Sequence, residues 1–140
     1  MLIFRDGDEG DWPLIADSFW KAVRQVPSVF GVRREFLVKM LTDVIANPAW
    51  KVTILCDDNE TSEIFAYAVY QGPTRIFWIG RKPRYKGLGF VEAMLRHIGV
   101  PTKEPGLWHE VSCAILPPGL LVPAHKRGIR LVQRPYLTLE

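Results

Sequence analysis

Long hydrophobic runs are missing from this chain. No apolar stretch approaches the ~20 residues of a membrane span, so no membrane association is expected. The start, Met1-Leu2-Ile3-Phe4-Arg5-Asp6, has no basic region followed by a long apolar segment, so no secretory leader is expected either. Cysteine is scarce. Cys56 and Cys113 are isolated thiols without CxxC spacing, which argues against a disulfide framework and makes a reducing cytoplasm the expected compartment. Three scattered histidines and two separate cysteines form no metal constellation. Internal repeats and low-complexity segments are absent as well. What is present is ordinary: 140 residues, 48% hydrophobic and 24% charged, the composition of one soluble domain over residues 1–140 with a core of its own.

Charge is unevenly spread. Residues 1–74 carry 7 basic and 11 acidic side chains, whereas residues 75–140 carry 11 basic and 4 acidic. Arg75, Arg81, Lys82, Arg84 and Lys86 crowd one stretch of the basic half. Such a patch suits a compact polyanion, either a nucleotide-like cofactor or a nucleic-acid backbone; a solvated strand end has the same charges. No aromatic-interleaved basic stripe accompanies it, so nucleic acid ranks lowest among the partners.

Hydrophobic periodicity divides the chain. Residues 2–4 read as a short strand, and the turn that follows holds Asp6, Asp8, Glu9 and Asp11. That acidic group suits either a cationic acceptor or a plain polar turn. Pro13 suits a helix start, and Ile15, Phe19, Ala22, Val23 and Val26 keep helical spacing until Pro27. A second helix carries Leu37, Met40, Leu41, Val44 and Ile45 on one face. From Trp50 the period becomes that of a strand. Runs at 50–56, 64–70 and 75–80 with short polar connections predict an antiparallel meander. An amphipathic helix follows over 90–98, then a strand over 107–115, a short helix over 120–126 and a last strand over 130–139.

One hexapeptide carries the most information. Arg84-Tyr85-Lys86-Gly87-Leu88-Gly89 stands between a buried strand and a helix start. Gly87 and Gly89 let the backbone approach an anion without side-chain interference, and the first helical N–H groups and the helix dipole then favour its charge. These residues serve a pyrophosphate, or equally a helix-entry turn with solvated cations. The spacing Arg-x-x-Gly-x-Gly resembles the acyl-CoA loop of the GNAT superfamily of acyl-CoA-dependent N-acyltransferases. The order of elements is similar to that fold over almost the whole chain. Lys126-Arg127-Gly128-Ile129-Arg130-Leu131-Val132 also resembles the family's C-terminal Gly-Phe segment. The resemblance implies an α/β (α+β) fold: a mixed, mostly antiparallel sheet of six to seven strands with about four flanking helices.

It further implies acetyl-CoA as co-substrate and a primary amine as acceptor. The pantetheine arm would bond the backbone of Trp78, Ile79, Gly80 and Arg81, with Gly80 as a point of close approach. The pyrophosphate would lie over Arg84, Tyr85, Lys86, Gly87, Leu88 and Gly89, with the N–H groups of Lys86, Gly87 and Gly89 as donors. Pro83 directly precedes Arg84, whereas the family places its proline three residues earlier. Either Arg84 or Lys86 can therefore lead the loop. The family's acid, a Tyr four residues before the C-terminal Gly, falls on Ala124. The Asn that often opens that helix falls on Pro117, and Pro123 interrupts the helix body at a cost of about 3 kcal/mol. A one-residue shift offers His125, which is also readable as an exposed side chain beside Lys126 and Arg127. Base candidates are Glu110 and His109 on the strand bordering the amine slot, of which alternation lets one face it, and Glu63. His109 and Cys113 stand about 13 Å apart along a regular strand, which precludes a thiol–imidazole pair.

Two readings follow. One is an N-acyltransferase that moves an acetyl group from acetyl-CoA to an amine. The other is a catalytically inactive GNAT-fold module joined to other protein subunits, such as a bacteriophage particle component, which would place it in a virion.

Overall fold

The computed structural model describes residues 1–100, 109–115, 125, 128–134 and 137. Six strands form one sheet in chain order: β1 (Leu2–Asp6), β2 (Lys51–Asp57), β3 (Ile64–Tyr70), β4 (Arg75–Arg81), β5 (His109–Cys113) and β6 (Ile129–Gln133). The first four are joined antiparallel; β4–β5 and β5–β6 are parallel. The helices are α1 (Trp12–Val23), α2 (Arg34–Ala46) and α3 (Phe90–Ile98). Three α-helices are thus described, not four, and the short helix expected over 120–126 lies outside the described residues apart from His125, which is helical. The last strand ends at Gln133, earlier than expected, and Leu137 sits in a 3-10 turn. Among the described residues no helix is long and apolar enough to cross a membrane.

Each face of the sheet has its own core. Alternation sends Ile54, Cys56, Tyr67, Val69 and Trp78 to one side, where Ile15, Phe19 and Val23 of α1 and Leu37, Leu41 and Val44 of α2 meet them. Leu55, Ala66, Ala68, Ile76 and Ile79 face the other side, against Val91, Met94 and Leu95 of α3. The α1 stripe ends at Val23, and Val26, expected in the helix, is buried just beyond it. Asp11 precedes α1 without capping it. Its carboxylate instead takes a bidentate bond from Arg5 of β1, 2.7 Å at each nitrogen, and one from the Asp8 N–H. This half-buried pair fixes the acidic turn to the sheet edge, which leaves Asp11 engaged within the protein.

Two features of β4 position the site. The β3–β4 register shifts between Val69 and Tyr70, so Tyr70 pairs with Ile76 and Val69 with Trp78. Phe77 is the extra residue, a β-bulge that bends the strand. Just there β4 loses its neighbour: only Arg75 and Ile76 pair with β5, opposite Ser112 and Cys113. From Phe77 to Arg81 no described strand flanks that edge.

Candidate functional site

The open half of β4 leads straight into the glycine loop. A 3-10 turn, Pro83–Tyr85, follows the strand, and Gly87 and Gly89 then adopt positive φ values of 81° and 77°. A Cβ at either glycine would meet no atom within 4 Å, so the backbone there faces open space. Glycine is required by conformation, since left-handed φ is costly for other residues. The N–H groups of Gly87, Gly89, Phe90 and Val91 make no hydrogen bond among the described residues, and they lie at the positive end of α3. Lys86 differs from expectation: its N–H is bonded to the Pro83 carbonyl at 3.1 Å. Its side chain, by contrast, is exposed and has no ion-pair partner among the described residues.

Arg84 is already engaged. Its guanidinium and the Tyr85 hydroxyl both donate to the same Glu63 oxygen, and Lys82 Nζ stands 3.9 Å away. Tyr85 donation holds the Glu63 carboxyl below its ordinary range, helped by the Lys82 and Arg84 charges. In return Glu63 pushes the Tyr85 phenol up. A carboxylate kept ionised by three partners is a poor proton acceptor at neutral pH, so its role here is to brace the loop. Phe65 of β3 packs edge-on against Tyr85 at 4.9 Å and near Phe90 at 5.2 Å, which adds an apolar clamp at the start of α3. Of Arg84 and Lys86, Lys86 is the cation with no ion-pair partner among the described residues.

The remaining expected residues are dispersed. Arg75, grouped with the loop by sequence, stands at the far end of β4 and donates to Gln71 and the Leu137 carbonyl. The parallel register puts Glu110 two residues beyond the start of the β4–β5 pairing, about 25 Å along the sheet from Arg81. Glu110 is exposed and adjoins Arg130 of β6. It stands just before the paired segment, at the end of the sheet away from the open edge. His109 opens β5 at the same end, with its side chain outside the described part of the protein. His125 is exposed. Ala124, Pro117, Pro123, Lys126 and Arg127 lie outside the described residues. Burial pushes the Cys113 thiol up to about 12, which removes it as a nucleophile. Trp78 and Ile79 are buried, one on each face, and Gly80 has a packing reason of its own. A Cβ there would lie 2.6 Å from the ring of Tyr67, its partner on β3.

Comparison with known proteins supports the architecture. No family model matches the chain, and no curated protein matches it. A possible acetyltransferase from Clostridium difficile 630 is similar in structure, with 12% identity and a TM-score of 0.56, over 70% of this chain and 68% of that one. A putative acetyltransferase of the GNAT family from Desulfovibrio desulfuricans aligns at 15% identity and a TM-score of 0.49, over 70% and 63%. A predicted acetyltransferase with acetyl-CoA from Clostridium acetobutylicum aligns at 17% and 0.48, over 94% and 80%. At such identities the likeness shows fold. The chain has the GNAT fold: six strands in order, splayed after the bulge in β4, with α3 leaving a glycine loop.

Proposed function

We propose that this protein binds an acyl-CoA such as acetyl-CoA and transfers its acyl group to an amine. The observation that carries the reading is the continuity of the open β4 edge with the loop's free amides. An extended arm lies along Phe77–Arg81, and its pyrophosphate meets the N–H groups of Gly87, Gly89, Phe90 and Val91 with the Lys86 ammonium beside it. The bulge at Phe77 opens the sheet where an amine attacks the thioester carbonyl. A carbon–nitrogen bond forms as the thioester carbon–sulfur bond breaks, and the proton lost by the amine passes through water to the departing CoA thiolate. The fold likeness to acetyltransferases is consistent with this assignment. A protein partner and a virion location belong to the second reading.

Calorimetric titration with CoA tests the binding. We expect saturable one-site heat for the wild type, weakened roughly tenfold or more in Lys86→Glu, because a like charge then faces the phosphates. Arg84→Ala should weaken it less than Lys86→Glu, since Glu63 already neutralises that guanidinium. No heat from folded wild-type protein would refute the assignment. A second reading, a binding module without turnover, is favoured by one observation. Among the described residues no carboxylate or imidazole free to take a proton borders the open edge: Glu63 is ion-paired, and Glu110 and His109 stand at the far end of the sheet. CoA binding with no thiol release against a panel of primary amines would select it.

A further inference from the structure

Two buried polar groups on the α1 side of the sheet have no partner among the described residues: the Tyr67 hydroxyl and the Trp78 indole N–H. Both side chains are almost fully enclosed, at 2% and 1% exposure. Burying an unpaired donor destabilises a fold, and Phe at position 67 would fill similar space without that penalty. Two such groups side by side mark a place where the sequence sets packing aside for binding.

Their placement points to a ligand. Tyr67 reaches from β3 across β4, and a Cβ at Gly80 would lie 2.7 Å from its oxygen. The hydroxyl therefore rests over the half of β4 that no described strand flanks. Ser18 of α1 and Trp78 lie beside it and offset part of the upward shift that burial imposes on the phenol, but neither meets it with hydrogen-bond geometry. The phenol stays protonated at physiological pH and acts as a donor. A cavity of about 10 Å³ adjoins the Tyr67 side chain, between α1 (Leu14, Ile15, Ser18), the start of β3 (Ile64, Phe65) and Lys82; the Trp78 indole stands beside Tyr67 but outside that lining. That is room for one water-sized atom group, not for a larger one.

We propose that Tyr67 and Trp78 form a two-donor site for one carbonyl oxygen of the ligand lying along the open edge of β4. Resting on the acyl-CoA reading, it names a contact from β3 and a side chain of β4, outside the glycine loop. The lining is apolar and the one cation, Lys82, is near Glu63, so a neutral acceptor suits it better than a carboxylate, whose desolvation two neutral donors do not offset. Acyl-CoA offers two kinds of such oxygen, the thioester carbonyl and the amides of the arm.

The test uses the intact chain and Tyr67→Phe, each melted without ligand and titrated with acetyl-CoA and with CoA. Tyr67→Phe should melt at or above the wild type, and its acetyl-CoA affinity should fall roughly tenfold. A loss confined to acetyl-CoA identifies the thioester carbonyl; an equal loss for CoA identifies an arm amide. Trp78→Phe should show the same choice between the two ligands on top of a lower melting point from its smaller ring; a packing role for Tyr67 alone does not produce the loss in Tyr67→Phe. Unchanged affinities in a folded Tyr67→Phe, with wild type binding both ligands, overturn the two-donor site alone. Failure of the wild type to bind CoA overturns the acyl-CoA reading, and this site's assignment with it.

Discussion

The Glu63 carboxylate decides how much charge the glycine loop presents. It draws Arg84 and Tyr85 together, and it is held below its ordinary value of 4.5, first by the Tyr85 hydroxyl. A carboxyl whose native pKa is depressed stabilises the fold fully above its unfolded value, and the contribution disappears as pH falls through the native one. We therefore expect Glu63→Gln to melt below the wild type at pH 7, with the gap closing on acidification below about pH 4. Freed of its counter-ion, Arg84 then faces the ligand, so the same variant should bind CoA roughly two- to fivefold tighter at pH 7. A variant that loses stability without gaining affinity would show that Arg84 points away from the phosphates. Nothing in the sequence announced this pairing. Glu63 and Arg84 are 21 positions apart, and only the β3–β4 register brings the end of one strand beside the start of the other.

Among the elements, glycine serves two different purposes that spacing alone does not separate. Gly80 is small because Tyr67 lies on it, with 2.6 Å from a would-be Cβ to the ring. Gly87 has open space around it and is set by φ of +81°. Gly80→Ala should cost about 1–3 kcal/mol of stability through overpacking. Gly87→Ala should cost about 1 kcal/mol through backbone strain alone. Urea unfolding separates them further: Tyr67→Ala should relieve Gly80→Ala and leave Gly87→Ala unaffected, because only the first shares a contact with the ring. Element type and order were legible in the sequence, since periods of 3.6 and 2 are local properties of the chain. Runs at 64–70 and 75–80 became β3 and β4, and residues 90–98 became α3. The parallel register of β5 was not legible. It places Glu110 and His109 at the far end of the sheet, and it depends on long-range pairing that no local pattern encodes. The bulge at Phe77 escaped for the same reason, because an extra residue in an apolar run leaves the run's composition unchanged.

Across the whole molecule, the divergence of β4 from β5 separates a closed part from an open one. Strands β1 to β4 share long antiparallel ladders, with α1 and α2 on one face and α3 on the other. By contrast β5 and β6 pair with each other along five residues and touch β4 through two. Cooperative stability follows buried ladders and packed faces, so the two parts should differ in hydrogen exchange. Amides of β2 and β3 should be the slowest, while those of β5, β6 and the outward side of Trp78–Arg81 exchange sooner. A ligand lying along that edge would pair its own polar groups with the β4 amides that no described strand meets. Adding acetyl-CoA should then slow Trp78–Arg81, Gly87 and Gly89, and through the shared edge also Val111–Cys113, leaving α2 unchanged. The basic half of the chain predicts that this protection weakens with salt, since its charges attract phosphates over a Debye length of about 10 Å at 0.1 M. Protection limited to the loop would mean a ligand held only by its phosphates. Protection that extends down β4 to the bulge would carry the thioester to the point where the sheet opens, the arrangement that acyl transfer requires.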